Sequence, residues 1–414
     1  MESRPSLWRR YLQFPLIWKM LIGLALGVAA GLVFGESIDA IEPLGTIFLN
    51  LLQMVVFPVI VLTLVTGVAS VAPSTLGKTG LKVVGLYMVT SAVAITLGIT
   101  LAMLAGVGKG LSMPSEGGEP ADTPSVWETV VGIVPSNPFS DLAEGKVLPI
   151  VFIALLVGFA VGAMRHASDE GMSDKGDLLF RIAEAGSEVM HRLIRGILEY
   201  APIGVFALIA VTVGTTGPEA LTSLAGLVGV VYGGVALEIG FYALLLFLFG
   251  YGVKNFFTHA KTPMLTAFVT RSSSGTLPVS LEAARKMGVP NSVSGFSLPL
   301  GATINMDGTA LYVGASVVFV ANVAGVDLTT GALLSVVLVG MLAAIGTAGV
   351  PGAGLIMLSL AISQAGLPFA PVVLVAGIDA LLDMARTGSN VTGDLAVTRI
   401  AAGKKLQKEK AEAA

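Results

Sequence analysis

Long apolar runs separated by short polar stretches dominate the chain. Runs near 20 residues, the length of helix that crosses a bilayer, are predicted at 14–35, 43–72, 79–107, 146–164, 180–213, 221–252, 293–324 and 369–400. Two further apolar regions, 255–288 and 328–367, are cut in the middle. In the first, RSSSGTLP separates two arms of about a dozen residues each. That gives roughly 18 Å of helix per arm, against a hydrocarbon core of about 30 Å. In the second, GTAGVPGAG breaks a stretch with no charged residue from Leu328 to Ile378. Both read as re-entrant helical hairpins. Each precedes a long helix with a polar segment, TINMDGT at 303–309 and DMARTGSNVTGD at 383–394. A hairpin and polar helix occurring twice predict an inverted repeat, in which binding sites lie near the midplane. The expected fold is an all-α polytopic membrane protein with eight spans and two hairpins.

Charge then orients the chain. Basic residues collect at Arg9, Arg10, Lys78, Lys82, Arg165, Arg192, Arg195, Lys254, Lys261, Arg285, Lys286 and in the tail AAGKKLQKEK. The segment 108–145 is instead acidic and rich in Gly and Pro. The positive-inside rule makes it an outside loop and both termini cytoplasmic. The first hairpin has basic ends, so it is entered from inside, and the second from outside. The N-terminal apolar run has no small-residue cleavage site and reads as a first true span. Of the 414 residues 54% are hydrophobic and 12% charged, about half the charged share of soluble domains. The absence of cysteine rules out disulfides and thiol chemistry. Three scattered histidines (His166, His191, His259) argue against a His-ligated metal, and a net charge of −3 against nucleic acid.

The last span carries the candidate chemistry. On a helical wheel Asp379, Asp383, Arg386, Thr387, Asn390 and Asp394 share one stripe roughly 100° wide. Arg386 and Asp379 fall to one side of Asp383, Thr387 to the other. Charges inside a membrane face the bundle interior and mark substrate or ion paths. One alternative is a structural Asp–Arg pair joining two helices. Against it stands the surplus of carboxylates, which calls for cations: sodium, or a substrate ammonium. The guanidinium suits bidentate capture of a carboxylate. Together these groups fit an acidic amino acid and a metal ion.

RSSSGTLP, TINMDGTALY, GTAGVPGAG and DMARTGSNVTGD, in this order, resemble the signature stretches of the dicarboxylate/amino acid:cation symporters, the glutamate transporter family. The closest likeness is to its archaeal and bacterial sodium-coupled aspartate transporters, and it runs over essentially the whole chain. The resemblance implies that Arg386 clamps the side-chain carboxylate of the substrate and Asp383 receives its α-ammonium. Asn390 and Thr387 add contacts, Ser273 and Thr309 cradle the α-carboxylate, and Val350 and Gly354 belong to a lid. It further implies three sodium sites. One combines Asp394 with carbonyls of Gly301, Asn305 and Asn390; another, Asp307, Asn305, Tyr87, Thr90 and Ser91. The third uses carbonyls of Thr303, Ala344, Ile345 and Thr347 beside Met306.

The same resemblance implies a homotrimer in membrane lipid that works as an elevator. Residues 1–78 and 146–213 would form the scaffold, 79–107 and 221–400 the transport domain, and 401–414 a cytoplasmic tail. Arg271 before the serine run, with Met384 in the last helix, matches the archaeal arrangement. Val313 stands where vertebrate members carry a proton-linked glutamate, which implies sodium coupling without that carrier. Glu238, alone in the sixth span, reads as a local hydrogen-bond partner or as another carrier. The function expected is sodium-coupled symport of acidic amino acids, aspartate first, across the plasma membrane of a prokaryote. The nearest rival is a C4-dicarboxylate symporter, which Asp383 argues against. No nucleophile–base pair suggests an enzyme.

Overall fold

A computed structural model describes residues 14–70, 79–111, 131–132, 134–143, 147–344, 349 and 352–403. Most of the acidic segment 108–145 and of the basic tail lies outside these residues. Helices follow the apolar runs: α1 Leu16–Phe34, α2 Glu42–Ala69, α3 Leu81–Ala105, α4 Val147–Arg165, α5 Glu170–Thr216 and α6 Glu219–Leu248. The interrupted regions form helix pairs, α7 Val253–Thr270 with α8 Ser273–Lys286, and α11 Thr330–Ala344 with α12 Ala353–Gln364. Between them α9 Asn291–Ile304 and α10 Asp307–Ala324 are the halves of a broken helix, and α13 Val372–Ala402 closes the described chain. Among the described residues five helical stretches are long and apolar enough to cross a membrane, the first of them running through α1 and α2. Together with the family shown below, they make this a multi-pass membrane protein.

Local chemistry explains where the helices stop. Gly106 and Gly325 close α3 and α10 in the left-handed region, which costs glycine nothing. Asp169 caps α5, its side chain accepting from the Met172 amide at 2.8 Å. The cap starts α5 ten residues before the expected span because its amphipathic first half, rich in charge, escapes a search for apolar runs. At the first hairpin tip Arg271 adopts φ 54°, the only positive φ outside glycine among the described residues. Ser272 then caps α8 by accepting from the Gly275 amide at 3.0 Å.

The two polar helices behave differently. The one expected at 293–324 breaks at Asn305 and Met306, whose backbones leave the helical region. Helix α13 instead runs unbroken through DMARTGSNVTGD. Its glycines serve close approach rather than breakage: a Cβ on Gly393 would sit 2.7 Å from the Tyr242 hydroxyl. Helix α10 is buried nearly all round, as is the middle of α13.

Helices pack in two groups. In one, α1 and α2 lie mainly against α5, and α4 packs on α2 and α5. Gly23, Gly27 and Gly31 put α1 directly on the α5 backbone, where added Cβ atoms would fall 2.5, 2.7 and 2.6 Å from the carbonyl oxygens of Pro202, Phe206 and Ala210. In the other, α3, α6 and the two helix pairs surround α10 and α13. Lys82 reaches across from α3 to the Ile400 carbonyl at 2.8 Å, placing a cation at the C-terminal end of α13. Large apolar side chains left exposed, such as Leu26, Phe34, Leu104 and Phe247, suit contact with lipid.

Candidate substrate and ion sites

The broken segments converge. The Gly349 carbonyl, in the interruption after α11, accepts from the Ser272 hydroxyl at 2.9 Å and the Ser274 amide at 3.2 Å, so the two hairpin tips touch. Both tips lie on the middle of α13. The Gly352 amide donates to Asp383 Oδ2 at 3.3 Å, and Arg271 Nη1 stands 3.9 Å from the same oxygen. Asp383 Oδ1 accepts from Thr387 at 3.2 Å and from Arg386 Nε at 3.0 Å.

Arg386 is 1% exposed. Its fork donates to both oxygens of Asp379, at 2.7 and 3.3 Å. Its guanidinium carbon lies 4.4 Å from the centre of the Tyr312 ring, a cation–π contact. A Cβ on Gly354 would come within 2.3 Å of that carbon. The guanidinium thus meets both an aromatic face and a hairpin backbone that only glycine permits. Asn390 completes the arrangement, donating to Thr309 Oγ1 at 3.1 Å and Met306 Sδ at 3.2 Å while accepting from the Thr309 amide at 3.3 Å.

Arg271, Ser273, Thr309, Gly354, Asp383, Arg386, Thr387 and Asn390 all line one cavity, and Val350 lies outside the described residues. The cavity measures ≈ 10 Å³, about enough for one water molecule. An amino acid fits there only if the tips part or Arg386 turns from Asp379. Asp379 was placed on the stripe by its sequence, but its bond to the fork of Arg386 was not foreseen. The signal was the seven-residue spacing, about two turns, which puts both on one face. Tyr312 gave no signal of its stacking.

The ion-site residues assemble in part. Asp394 accepts from Asn305 Nδ2 at 2.9 Å, and a Cβ on Gly301 would lie 2.4 Å from Asp394 Oδ1. Asp307 accepts from the hydroxyls of Ser91 at 2.6 Å and Tyr242 at 2.8 Å. Thr90 donates to Asn305 Oδ1 at 3.3 Å and to the Tyr87 carbonyl at 3.1 Å, whereas the Tyr87 hydroxyl turns away to the Ser297 carbonyl at 2.9 Å. Thr303 lies in the last turn of α9 and Met306 in the break that follows; Ala344 ends α11, and Ile345 and Thr347 lie outside the described residues. No group of three His, Cys, Asp or Glu suited to a metal occurs among the described residues. Single carboxylates among neutral oxygens, with no arginine or lysine bonded to Asp307 or Asp394, fit a small hard monovalent cation. Gly301→Ala is expected to lower the thermal unfolding temperature, since overpacking costs roughly 1–3 kcal/mol and the added Cβ would meet Asp394 Oδ1; thermal unfolding of the purified variant checks this.

A family model described as Sodium:dicarboxylate symporter family matches residues 16–404. The chain is 34% identical over 396 residues to the proton/sodium-glutamate symport protein of Bacillus caldotenax, covering 92% of each. It is 33% identical over 417 residues to the proton/glutamate-aspartate symporter of Escherichia coli (strain K12), covering 94% of this chain and 93% of that protein. It is 30% identical over 399 residues to the C4-dicarboxylate transport protein of Xanthomonas campestris pv. campestris (strain B100), covering 92% of this chain and 86% of that protein.

Proposed function

Since the chain belongs to the sodium:dicarboxylate symporter family, we propose that it carries acidic amino acids, aspartate ahead of glutamate, into the cell together with sodium. The observation that carries this reading is the cavity at the meeting of the hairpin tips and α13. There Arg386 and Asp383, three residues apart on one buried face, offer a carboxylate clamp and an ammonium acceptor side by side. Arg386 takes the side-chain carboxylate once it leaves Asp379, and Asp383 takes the ammonium. Ser273, Thr309, Thr387 and Asn390 bind the rest, and Val350 and Gly354 cover it. Sodium is held as cargo by the sets around Asp394 and Asp307 and by the carbonyls about Thr303 and Ala344.

The two packing groups support an elevator, in which α3 and the helices from α6 onward slide against α1, α2, α4 and α5. Inverted repeats, a homotrimer in the plasma membrane and cytoplasmic termini complete the reading. A second reading, C4-dicarboxylate symport, is favoured by the Xanthomonas relative and opposed by the carboxylate of Asp383 beside the clamp.

The test is radiolabelled aspartate uptake into proteoliposomes. Uptake is expected to collapse when outside sodium is replaced by choline, and Asp394→Asn is expected to raise the sodium requirement. Full accumulation driven by a pH gradient in sodium-free buffer overturns the sodium reading.

A further inference from the structure

Glu238 sits in the second half of α6, 1% exposed, and the proposed site does not use it. Its Oε2 accepts the Ser389 hydroxyl at 2.6 Å, and its Oε1 lies 3.2 Å from the Tyr242 hydroxyl oxygen. That hydroxyl also lies 2.8 Å from Asp307 Oδ2. Tyr242 has one hydroxyl hydrogen and two carboxylate neighbours. The shorter contact, to Asp307, claims it. Tyr242 then turns only lone pairs toward Glu238, and two such oxygens at hydrogen-bonding distance repel unless a hydrogen lies between them.

A hydrogen on Glu238 Oε1 resolves this. Glu238 donates to Tyr242, Tyr242 donates to Asp307, and Ser389 satisfies the remaining oxygen of Glu238. The charged and titratable neighbours of Glu238 are few: Tyr242 on α6 and Asp307 on α10, beside the neutral Ser389 of α13. The other helices packed on α6, namely α3, α5 and α7, bring no charge to it. Two ionised carboxylates in one dry space without a base are unfavourable; one proton removes the conflict.

We propose that Glu238 is a proton-binding site whose proton is antagonistic to the cation at Asp307. The inference rests on the sodium-symport reading and adds a second coupled ion to it. A cation at Asp307 frees the Tyr242 hydroxyl to donate to Glu238, which then ionises and passes its proton to water. When the cation leaves, Glu238 takes a proton back. By linkage, one proton per cation makes the sodium requirement rise by up to about tenfold per pH unit on the acid side of the midpoint.

The purified full-length protein is titrated with sodium at saturating aspartate between pH 5 and pH 9, and in weak buffer with a pH-indicator dye. The unmutated protein is expected to release protons as sodium binds and to need more sodium at low pH. Glu238→Gln should bind aspartate at high sodium yet lose both effects. Ser389→Ala removes a donor that favours the ionised form, so it should keep the pH dependence with its midpoint moved upward. Sodium binding without pH dependence or proton release in the unmutated protein overturns the inference, as does either effect persisting in Glu238→Gln or an unmoved midpoint in Ser389→Ala. Absence of any sodium-dependent aspartate binding strikes the symport reading instead.

Discussion

Arg386→Cys is expected to weaken aspartate binding at least about a hundredfold while allowing weak binding of serine or alanine. Truncating one partner of a buried charge pair costs roughly 2–5 kcal/mol, and each 1.4 kcal/mol is about a factor of ten. The structure complicates the variant, because Arg386 also neutralises Asp379 and Asp383. Leaving those carboxylates alone costs about 3–5 kcal/mol of stability. Asp379→Asn/Arg386→Cys relieves half of that problem and should unfold at a higher temperature than Arg386→Cys. If Arg386 selects the ligand, the double variant keeps the loss of aspartate and the gain of serine. If Arg386 only holds helix α13 together, the double variant regains aspartate binding. Calorimetry with aspartate, serine and alanine at saturating sodium separates the two.

Aspartate is expected to bind at least a hundredfold more tightly than succinate, a difference of about 2.8 kcal/mol. Succinate is aspartate without the ammonium. With one carboxylate on Arg386, its second end lies near Asp383, already served by Arg386, Thr387 and the Gly352 amide. An ammonium there gains a buried acceptor; a second carboxylate meets repulsion instead. Asp383→Asn removes the acceptor charge, so the gap narrows chiefly because aspartate weakens. Competition of the two ligands on the sodium-loaded protein measures both. Comparable affinities in the unmutated protein hand the case to dicarboxylate symport.

Helical period and its interruption made much of this arrangement legible in the sequence. Ser, Gly and Pro clustered at 271–278 and 346–354 marked the interruptions, and the wheel of α13 put its charges on one face. An angle on a wheel does not fix a rotamer, so the fork of Arg386 closing on Asp379 was not visible. Gly388 and Gly393 do not break the last helix. They are contact residues, and the Thr392 hydroxyl accordingly donates to the Gly388 carbonyl at 2.7 Å within an intact helix. The Glu238–Tyr242–Asp307 assembly joins two helices 65 residues apart between Tyr242 and Asp307, and no periodicity reports such a meeting.

Asn390 bonds to Thr309 and Met306 beside the cavity, one turn before Asp394, which bonds to Asn305. Ligand-facing and ion-facing groups are therefore successive turns of one unbroken rod, gripped by the same broken helix. Affinities joined this way are reciprocal: whatever factor sodium lends to the aspartate association constant, aspartate lends to that of sodium. On the proposed reading, a substitution at Asn390 or Met306 that loosens this joint should shrink the sodium dependence of aspartate affinity and the aspartate dependence of sodium affinity by one and the same factor.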